Sequence, residues 1–284
     1  MSPGWYELMT RVVAALMVAG AWLLAAQTRS PLLHLSRQAP TDLQVGESQF
    51  VSYHDLLRLP QVNFTTSDDS NFVPPAHVSG VPLEDLKRAL GLDADMVVAI
   101  CADGYRANYP AAYLSAHHPV LVLTVNGEAQ QGWPKTHEGN MALGPYVIAN
   151  PSFAPSFKVL SHSDEAQIPF QVVRLEFRNE REVLGAIAPH GSYAPDSPVM
   201  QGYKIAQQNC YRCHNMGAEG GQMASIPWPV IGAFAKGNPD FFAKYVRNPQ
   251  AVNPASRMAA SPQYDDATIA ALRAYFSTFA AGGP

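Results

Sequence analysis

The most constraining feature of this chain is a C-x-x-C-H run, Cys210-Tyr211-Arg212-Cys213-His214. Two thiols three positions apart can each form a thioether with one of the two vinyl groups on the same edge of a haem. The adjacent imidazole can then reach the iron, and this run is the usual signature of c-type haem attachment. The chain must fold around such a group. The motif therefore predicts one covalent haem c, held by Cys210 and Cys213, with His214 as an axial ligand of the iron.

Three other chemistries use closely spaced cysteines. A thioredoxin-like pair would open a helix after a strand, whereas the pattern of Gln201–Gln208 predicts a helix that precedes Cys210. A structural zinc site needs four ligands, and the chain has three cysteines in all. A disulfide between Cys210 and Cys213 would close a small, strained loop. The sequence therefore fits haem attachment better than a redox pair, a zinc site or a disulfide.

The distribution of charge indicates two domains. The chain has 284 residues, enough for two compact domains and an N-terminal segment. Residues 42–196 carry nine Lys and Arg against eighteen Asp and Glu, whereas residues 200–284 carry seven against four. The net charge of −4 gives no reason to expect nucleic-acid binding. We predict a multidomain fold, with a β-rich α+β domain over 46–185, a connector over 186–199 and an all-α domain over 200–284.

Hydrophobic patterns predict the elements of both domains. Short runs rich in Val, Ile, Tyr and Phe predict strands at Phe50–Tyr53, Met96–Cys101, Val120–Val125, Pro145–Ile148, Phe157–Leu160 and Gln171–Phe177. Helical spacing and start and stop signals predict helices at His54–Leu59, Pro82–Leu90, Gln201–Gln208, Pro239–Arg247 and Asp265–Phe279. Residues 30–45 are polar and contain proline, which predicts a linker.

The N-terminal segment, residues 1–29, contains the unbroken apolar run Val12–Ala26 after Arg11. A helix of this length spans about 22 Å, short of the ~30 Å hydrocarbon core of a bilayer. That length suits the apolar part of a secretory signal peptide. No clean small-x-small cleavage site ends the run, so an uncleaved membrane anchor fits as well. Both interpretations predict a chain that is periplasmic, or membrane-anchored and facing the periplasm.

Residues 200–280 resemble class I cytochromes c. The resemblance is carried by Gly202, eight residues before the first cysteine, and by Asn248-Pro249 followed by Met258 and then Tyr264-Asp265-Asp266. It implies that Gly202 packs closely against the last helix, near Leu272 and Tyr275. It also implies that Met258 is the second axial ligand of the iron.

Two further features of this domain bear on the iron site. Met200, Met216 and Met223 are the alternatives to Met258 as a ligand. A ligating imidazole usually donates its other N–H to a carbonyl or a carboxylate. The stretch Pro227-Trp228-Pro229 resembles the family's segment in that role, although a simple rigid loop would carry the same residues.

Residues 46–178 resemble, more weakly, the sulfite-oxidase-like molybdopterin-binding domain. The resemblance is carried by Gly80-Val81-Pro82-Leu83, by the segment 101–106 after a β run, and by Gly144-Pro145. In catalytic members of that family a cysteine at such a strand end ligates molybdenum, which makes Cys101 a candidate ligand. A cysteine there is equally explained as a small buried hydrophobe. With Arg106 as the one candidate ligand for a pterin phosphate, we expect a domain without molybdopterin.

Histidines outside the motif give no site. His117-His118 and His137 could form a metal cluster, but adjacent histidines of this kind are more often surface or satisfied turn residues. We assign none of them.

Together these features predict electron transfer by a monohaem c-type cytochrome. Its β-rich domain would dock it to redox partner proteins or to a membrane respiratory complex. The alternative is a molybdenum-dependent oxidoreductase fused to its own electron-accepting cytochrome c domain. We expect a fixed, mainly apolar contact between the domains. Arg212 is expected at the exposed haem edge, where it would either steer an acidic partner or lie as a solvated loop residue.

Overall fold

The computed structural model describes residues 30–67, 69–136 and 139–280. Over these residues the chain is a mixed α+β protein with more than one sheet, followed by a group of helices. The apolar run Val12–Ala26 and His137 lie outside the described residues. Among the helices of the described part, none combines the length and the apolar character that crossing a bilayer requires.

The strands are concentrated in the first 178 residues. They are β1 Leu43–Val45, β2 Gln49–Val51, β3 Val62–Thr65, β4 His77–Pro82, β5 Met96–Cys101, β6 Arg106–Pro110, β7 Val120–Val125, β8 Val147–Ala149, β9 Lys158–Val159, β10 His162–Ser163, β11 Val172–Arg178, β12 Asn215–Met216 and β13 Glu219–Gly220.

The helices become longer after residue 197. They are α1 Tyr53–Leu57, α2 Leu83–Ala89, α3 Ala111–His117, α4 Glu180–Gly185, α5 Pro198–Asn209, α6 Trp228–Gly237, α7 Pro239–Arg247, α8 Pro249–Val252 and α9 Asp266–Ser277. A short 3₁₀ helix covers Gln130–Gly132. We call residues 43–185 the sheet region and residues 198–280 the helical region.

Two sheets organise the sheet region. One has five strands in the order β2-β1-β11-β5-β6, with β1 and β11 parallel and the other neighbours antiparallel. The other has four antiparallel strands in the order β3-β4-β7-β8. The pairs β9–β10 and β12–β13 form separate two-stranded hairpins.

Strand β5 joins the two regions because it is buried on both faces. Side chains alternate across a strand, so Val97, Ala99 and Cys101 lie in the core of the sheet region. Met96, Val98 and Ile100 point the other way, into a core built with residues of α5, α6 and α9. The expected apolar contact between the two regions is therefore confirmed.

Helices α5 and α9 cross at a point where a side chain does not fit. A Cβ at Gly202 would lie 2.1 Å from the carbonyl oxygen of Ala271 and 2.8 Å from Cβ of Tyr275. Contacts that short do not occur between real atoms, so the two helix backbones touch because the residue is glycine. The close packing expected at Gly202 is confirmed, with Ala271 and Tyr275 as its nearest neighbours.

Several sequence expectations need correction. The segment 30–45, expected to be a linker, contains β1, whose Leu43 is fully buried. The helical region includes the hairpin β12–β13, so it is not all-α. The connector 186–199 is anchored at Ile187, which is fully buried and whose carbonyl accepts a hydrogen bond from the Tyr275 hydroxyl at 2.6 Å.

Candidate functional site

The C-x-x-C-H motif forms a tight turn at the end of α5. Cys210 caps the helix, and its carbonyl oxygen accepts hydrogen bonds from the backbone N–H of Cys213 at 3.2 Å and of His214 at 3.0 Å. Both cysteines are free thiols and are half-buried. The helix end therefore gathers two thiols and an imidazole within five residues.

The two thiols do not have the properties of a reactive redox pair. Burial raises the pKa of Cys210 to about 12, and the nearby charge of Arg212 opposes this shift. Burial also raises the pKa of Cys213, again against Arg212. Thioredoxin-like and zinc-binding cysteines act as thiolates and have lowered pKa values. The environment of the motif therefore argues against a thioredoxin-like redox pair.

His214 is held by a single strong contact. Its Nδ1 lies 2.7 Å from the carbonyl oxygen of Ile226. A carbonyl only accepts, so Nδ1 carries the proton and Nε2 keeps its lone pair. Burial lowers the pKa of His214, which favours the neutral ring that a metal requires. The acceptor immediately precedes Pro227, one residue before the segment proposed from the sequence.

Met258 lies in the loop between α8 and α9 and is half-buried. Its backbone is anchored at both ends, because its N–H donates to Oγ of Ser256 at 3.3 Å and its carbonyl accepts from Nε2 of Gln250 at 2.9 Å. Among the alternative methionines, Met223 places its sulfur 3.7 Å from Sγ of Cys213. Met223 therefore contacts the motif directly.

A row of aromatic side chains runs along the helical region. The ring centres of Phe234 and Phe241 are 5.5 Å apart, and those of Phe241 and Tyr245 are also 5.5 Å apart. The Tyr245 hydroxyl donates to Oγ of Ser256 at 3.1 Å, so the row ends at the loop that carries Met258. Phe234 and Val230, one turn before it on α6, are about 40% exposed.

Arg212 does not lie in solvent, contrary to expectation. Its side chain folds against the sheet region, where a terminal nitrogen donates to Oε2 of Glu165 at 2.6 Å and another donates to the Tyr105 hydroxyl at 3.2 Å. Its Nε donates to the carbonyl of Gln208 at 2.5 Å. Because these contacts occupy the guanidinium, the interpretation of Arg212 as a solvated loop residue is wrong. Its part in steering an acidic partner stays a prediction.

A polar seam surrounds Arg212 where the two regions meet. Residues 161–165 of the sheet region face the end of α5. Nε2 of His162 lies 2.6 Å from Oε1 of Gln208, and its Nδ1 lies 3.1 Å from the Tyr264 hydroxyl. Asp164 also accepts a hydrogen bond from Gln208. No local pattern in residues 161–165 indicates this role, because every partner is more than forty residues away in sequence.

The loop that follows Cys101 also touches the motif. The carbonyl of Gly104 accepts from the N–H of Gln222 at 2.8 Å, and the N–H of Arg106 donates to the carbonyl of Arg212 at 2.9 Å. The Cys101 side chain points away from these contacts into the core of the sheet region. Burial raises the pKa of its thiol, as for a small buried apolar side chain.

His117 and His118 do not form one site. His117 is buried, its Nε2 is 2.8 Å from Oδ2 of Asp164, and its ring stacks on Phe153 at 4.5 Å. His118 is exposed in a left-handed turn, with Nδ1 3.3 Å from Glu84. Over the part of the chain that the structure describes, no group of three or more His, Cys, Asp or Glu side chains is arranged to hold a metal ion.

Comparison with known proteins identifies no family for this chain. No protein-family model matches this chain, and no curated protein matches it. Among solved structures, the chain is similar to the sulfane dehydrogenase SoxCD from Paracoccus pantotrophus, with 17% sequence identity and a TM-score of 0.34. The similarity covers 51% of this chain and 40% of that one, so the chain spans less than half of that structure.

Proposed function

We propose that this chain is a monohaem c-type cytochrome that transfers electrons. One haem would be attached covalently at Cys210 and Cys213, with His214 and Met258 as the axial ligands of its iron. The observation that carries the proposal is the hydrogen bond from Nδ1 of His214 to Ile226. It fixes the ring and leaves Nε2 for a metal, which is how proteins orient a ligating histidine.

The residues present also fit a haem in other respects. Both thiols are free for thioether bonds, and neither is drawn into a disulfide. The aromatic row from Phe234 to Tyr245 is partly uncovered and leads to the loop of Met258. A haem would need apolar side chains against its ring, and this row is a candidate for that contact.

The haem and the protein would contribute different parts of the chemistry. When bound, the haem supplies a one-electron iron couple. The chain would supply a neutral imidazole at His214 and a soft thioether at Met258, and the thioether would favour the reduced metal. The sheet region holds the motif in place through the seam and would present it to a redox partner protein or respiratory complex outside the cytoplasm.

Covalent attachment is the first test. The full chain, produced with a c-type maturation system, should keep its haem after denaturing electrophoresis, at about one haem per chain. The double variant Cys210→Ala, Cys213→Ala should lose it, because no thioether can form. The matched control Cys101→Ala removes the remaining cysteine and should keep the haem.

Two outcomes would contradict the proposal. One is a wild-type chain without covalent haem, or a double variant that retains it. The other is molybdenum at about one equivalent per iron in the purified protein, which would make the chain an enzyme rather than a carrier.

A further inference from the structure

Arg212 lies between the two attachment cysteines, yet its charge is held inside the molecule. The side chain is 16% exposed and contacts three segments. Its partners are Gln208 and Asn209 on α5, Tyr105 on the loop after β5 and Glu165 in the seam. The guanidinium therefore has a fixed position beside the end of α5, where Cys210 and Cys213 lie.

The two charges of the Arg212–Glu165 pair are not equally exposed to water. The Glu165 side chain is 40% exposed, against 16% for Arg212. Water screens an exposed charge more strongly than a buried one, and the Tyr105 and Gln208 partners carry no net charge. A net positive field is left at the motif, and the sheet region supplies the anion that moderates it.

A positive charge held near a redox group favours the state with the additional electron, and a negative charge favours the oxidised state. We infer that Arg212 and Glu165 set the reduction potential of the haem proposed above: Arg212 raises it, and Glu165 lowers it. The inference rests on the proposed function. It assigns the sheet region a direct part in the redox properties of the motif, through one carboxylate and one hydroxyl.

The test is a spectroelectrochemical titration of the full-length holoprotein at low ionic strength. Arg212→Gln should shift the equilibrium toward oxidised iron by about tenfold, which is 59 mV for a one-electron couple. Glu165→Gln should shift it in the opposite direction, by less than tenfold, because this carboxylate is better screened. A loosened structure would move both variants in the same direction.

Two controls separate charge from packing. Arg212→Lys keeps the charge and should keep most of the potential. Arg178→Gln removes a different cation of the same interface, one that pairs with Glu219 at 2.8 Å, and should move the potential less than Arg212→Gln does. The absorption spectrum of each variant should show unchanged axial ligation.

The outcomes are distinguishable. Equal potentials in wild type, Arg212→Gln and Glu165→Gln, all carrying covalent haem, would overturn this inference and leave the proposed function standing. Shifts of the same sign in both variants would also overturn it. If Arg212→Gln fails to mature, Glu165→Gln decides alone, because a raised potential supports the inference and an unchanged one refutes it. A wild-type chain without covalent haem would remove the proposed function and this inference together.

Discussion

Asp69 is a carboxylate that the fold buries at a cost. It is 8% exposed, Oδ1 accepts a hydrogen bond from the N–H of Asn71 at 2.9 Å, and Oδ2 accepts none within the described part of the chain. Burial raises the pKa of Asp69 to about 6, although the Asn71 contact opposes the shift. The ordinary pKa of an aspartate is about 3.9.

The magnitude follows from the difference between the two pKa values. It is about two units, each worth ~1.4 kcal/mol, so ionised Asp69 destabilises the folded state by about 3 kcal/mol. Between roughly pH 4 and pH 6 the folded protein holds a proton that the unfolded chain has released. The penalty is therefore absent below this window, grows as the pH rises through it, and is complete above it.

Asp69→Asn removes the charge and keeps an acceptor for the N–H of Asn71. We expect the variant to be more stable than wild type by about 1–3 kcal/mol at pH 7.5, and to differ little at pH 4.5. Urea unfolding of the full chain at both pH values measures this. Asp93→Asn, at an exposed aspartate, is the control and should show no such pH-dependent gain. A gain that is absent at pH 7.5, or equal at both pH values, would refute the reasoning.

Three other perturbations test the packing, the iron ligand and the contact between the regions. Gly202→Ala should lower the free energy of unfolding, measured by heat or urea, by several kcal/mol, because its Cβ would overlap the Ala271 carbonyl. Gly185→Ala is the control, since no atom lies within 4 Å of the Cβ added there in helix α4, and it should be neutral or mildly stabilising. Equal effects of the two substitutions would contradict the argument. Met258→Ala should keep the haem attached, lower its potential and let the iron bind CO, whereas an unchanged spectrum would move the ligand to another methionine. Glu219→Ala should destabilise the chain by about 1–3 kcal/mol, because Arg106 and Arg178 both pair with it across the interface, and an unchanged melting temperature would show that these pairs contribute nothing.

The parts of the fold predicted from sequence are those with a strong local pattern. Met96–Cys101 and Val120–Val125 are continuous apolar runs, and both are strands with those bounds. Pro239–Arg247 has a proline at its start and another just beyond its end, and it is a helix with those bounds. Strand Val62–Thr65 was missed because it is a mostly exposed edge strand of four residues, too short for its alternation to stand out. Helix Ala111–His117 was also not among the predicted helices.

The candidate site shows the same division between local and distant information. The thiols, the imidazole and the carbonyl at Ile226 lie within seventeen residues, so motif and segment could be proposed from the sequence. The partners of Arg212 in the sheet region could not, because Glu165 is 47 residues away. An arginine in a turn is ordinarily solvated, and the sequence contains nothing that opposes this default.

The double burial of strand β5 has a consequence for how the chain is made. Residues 96–101 leave the ribosome before any residue of α5, α6 or α9, the helices that cover one of their faces. A nascent chain that has completed the five-stranded sheet still exposes Met96, Val98 and Ile100. Such a stripe promotes misassembly until it is covered. We therefore expect products that terminate before α9 to be retained by chaperones or degraded, because part of the cover over this stripe is then missing.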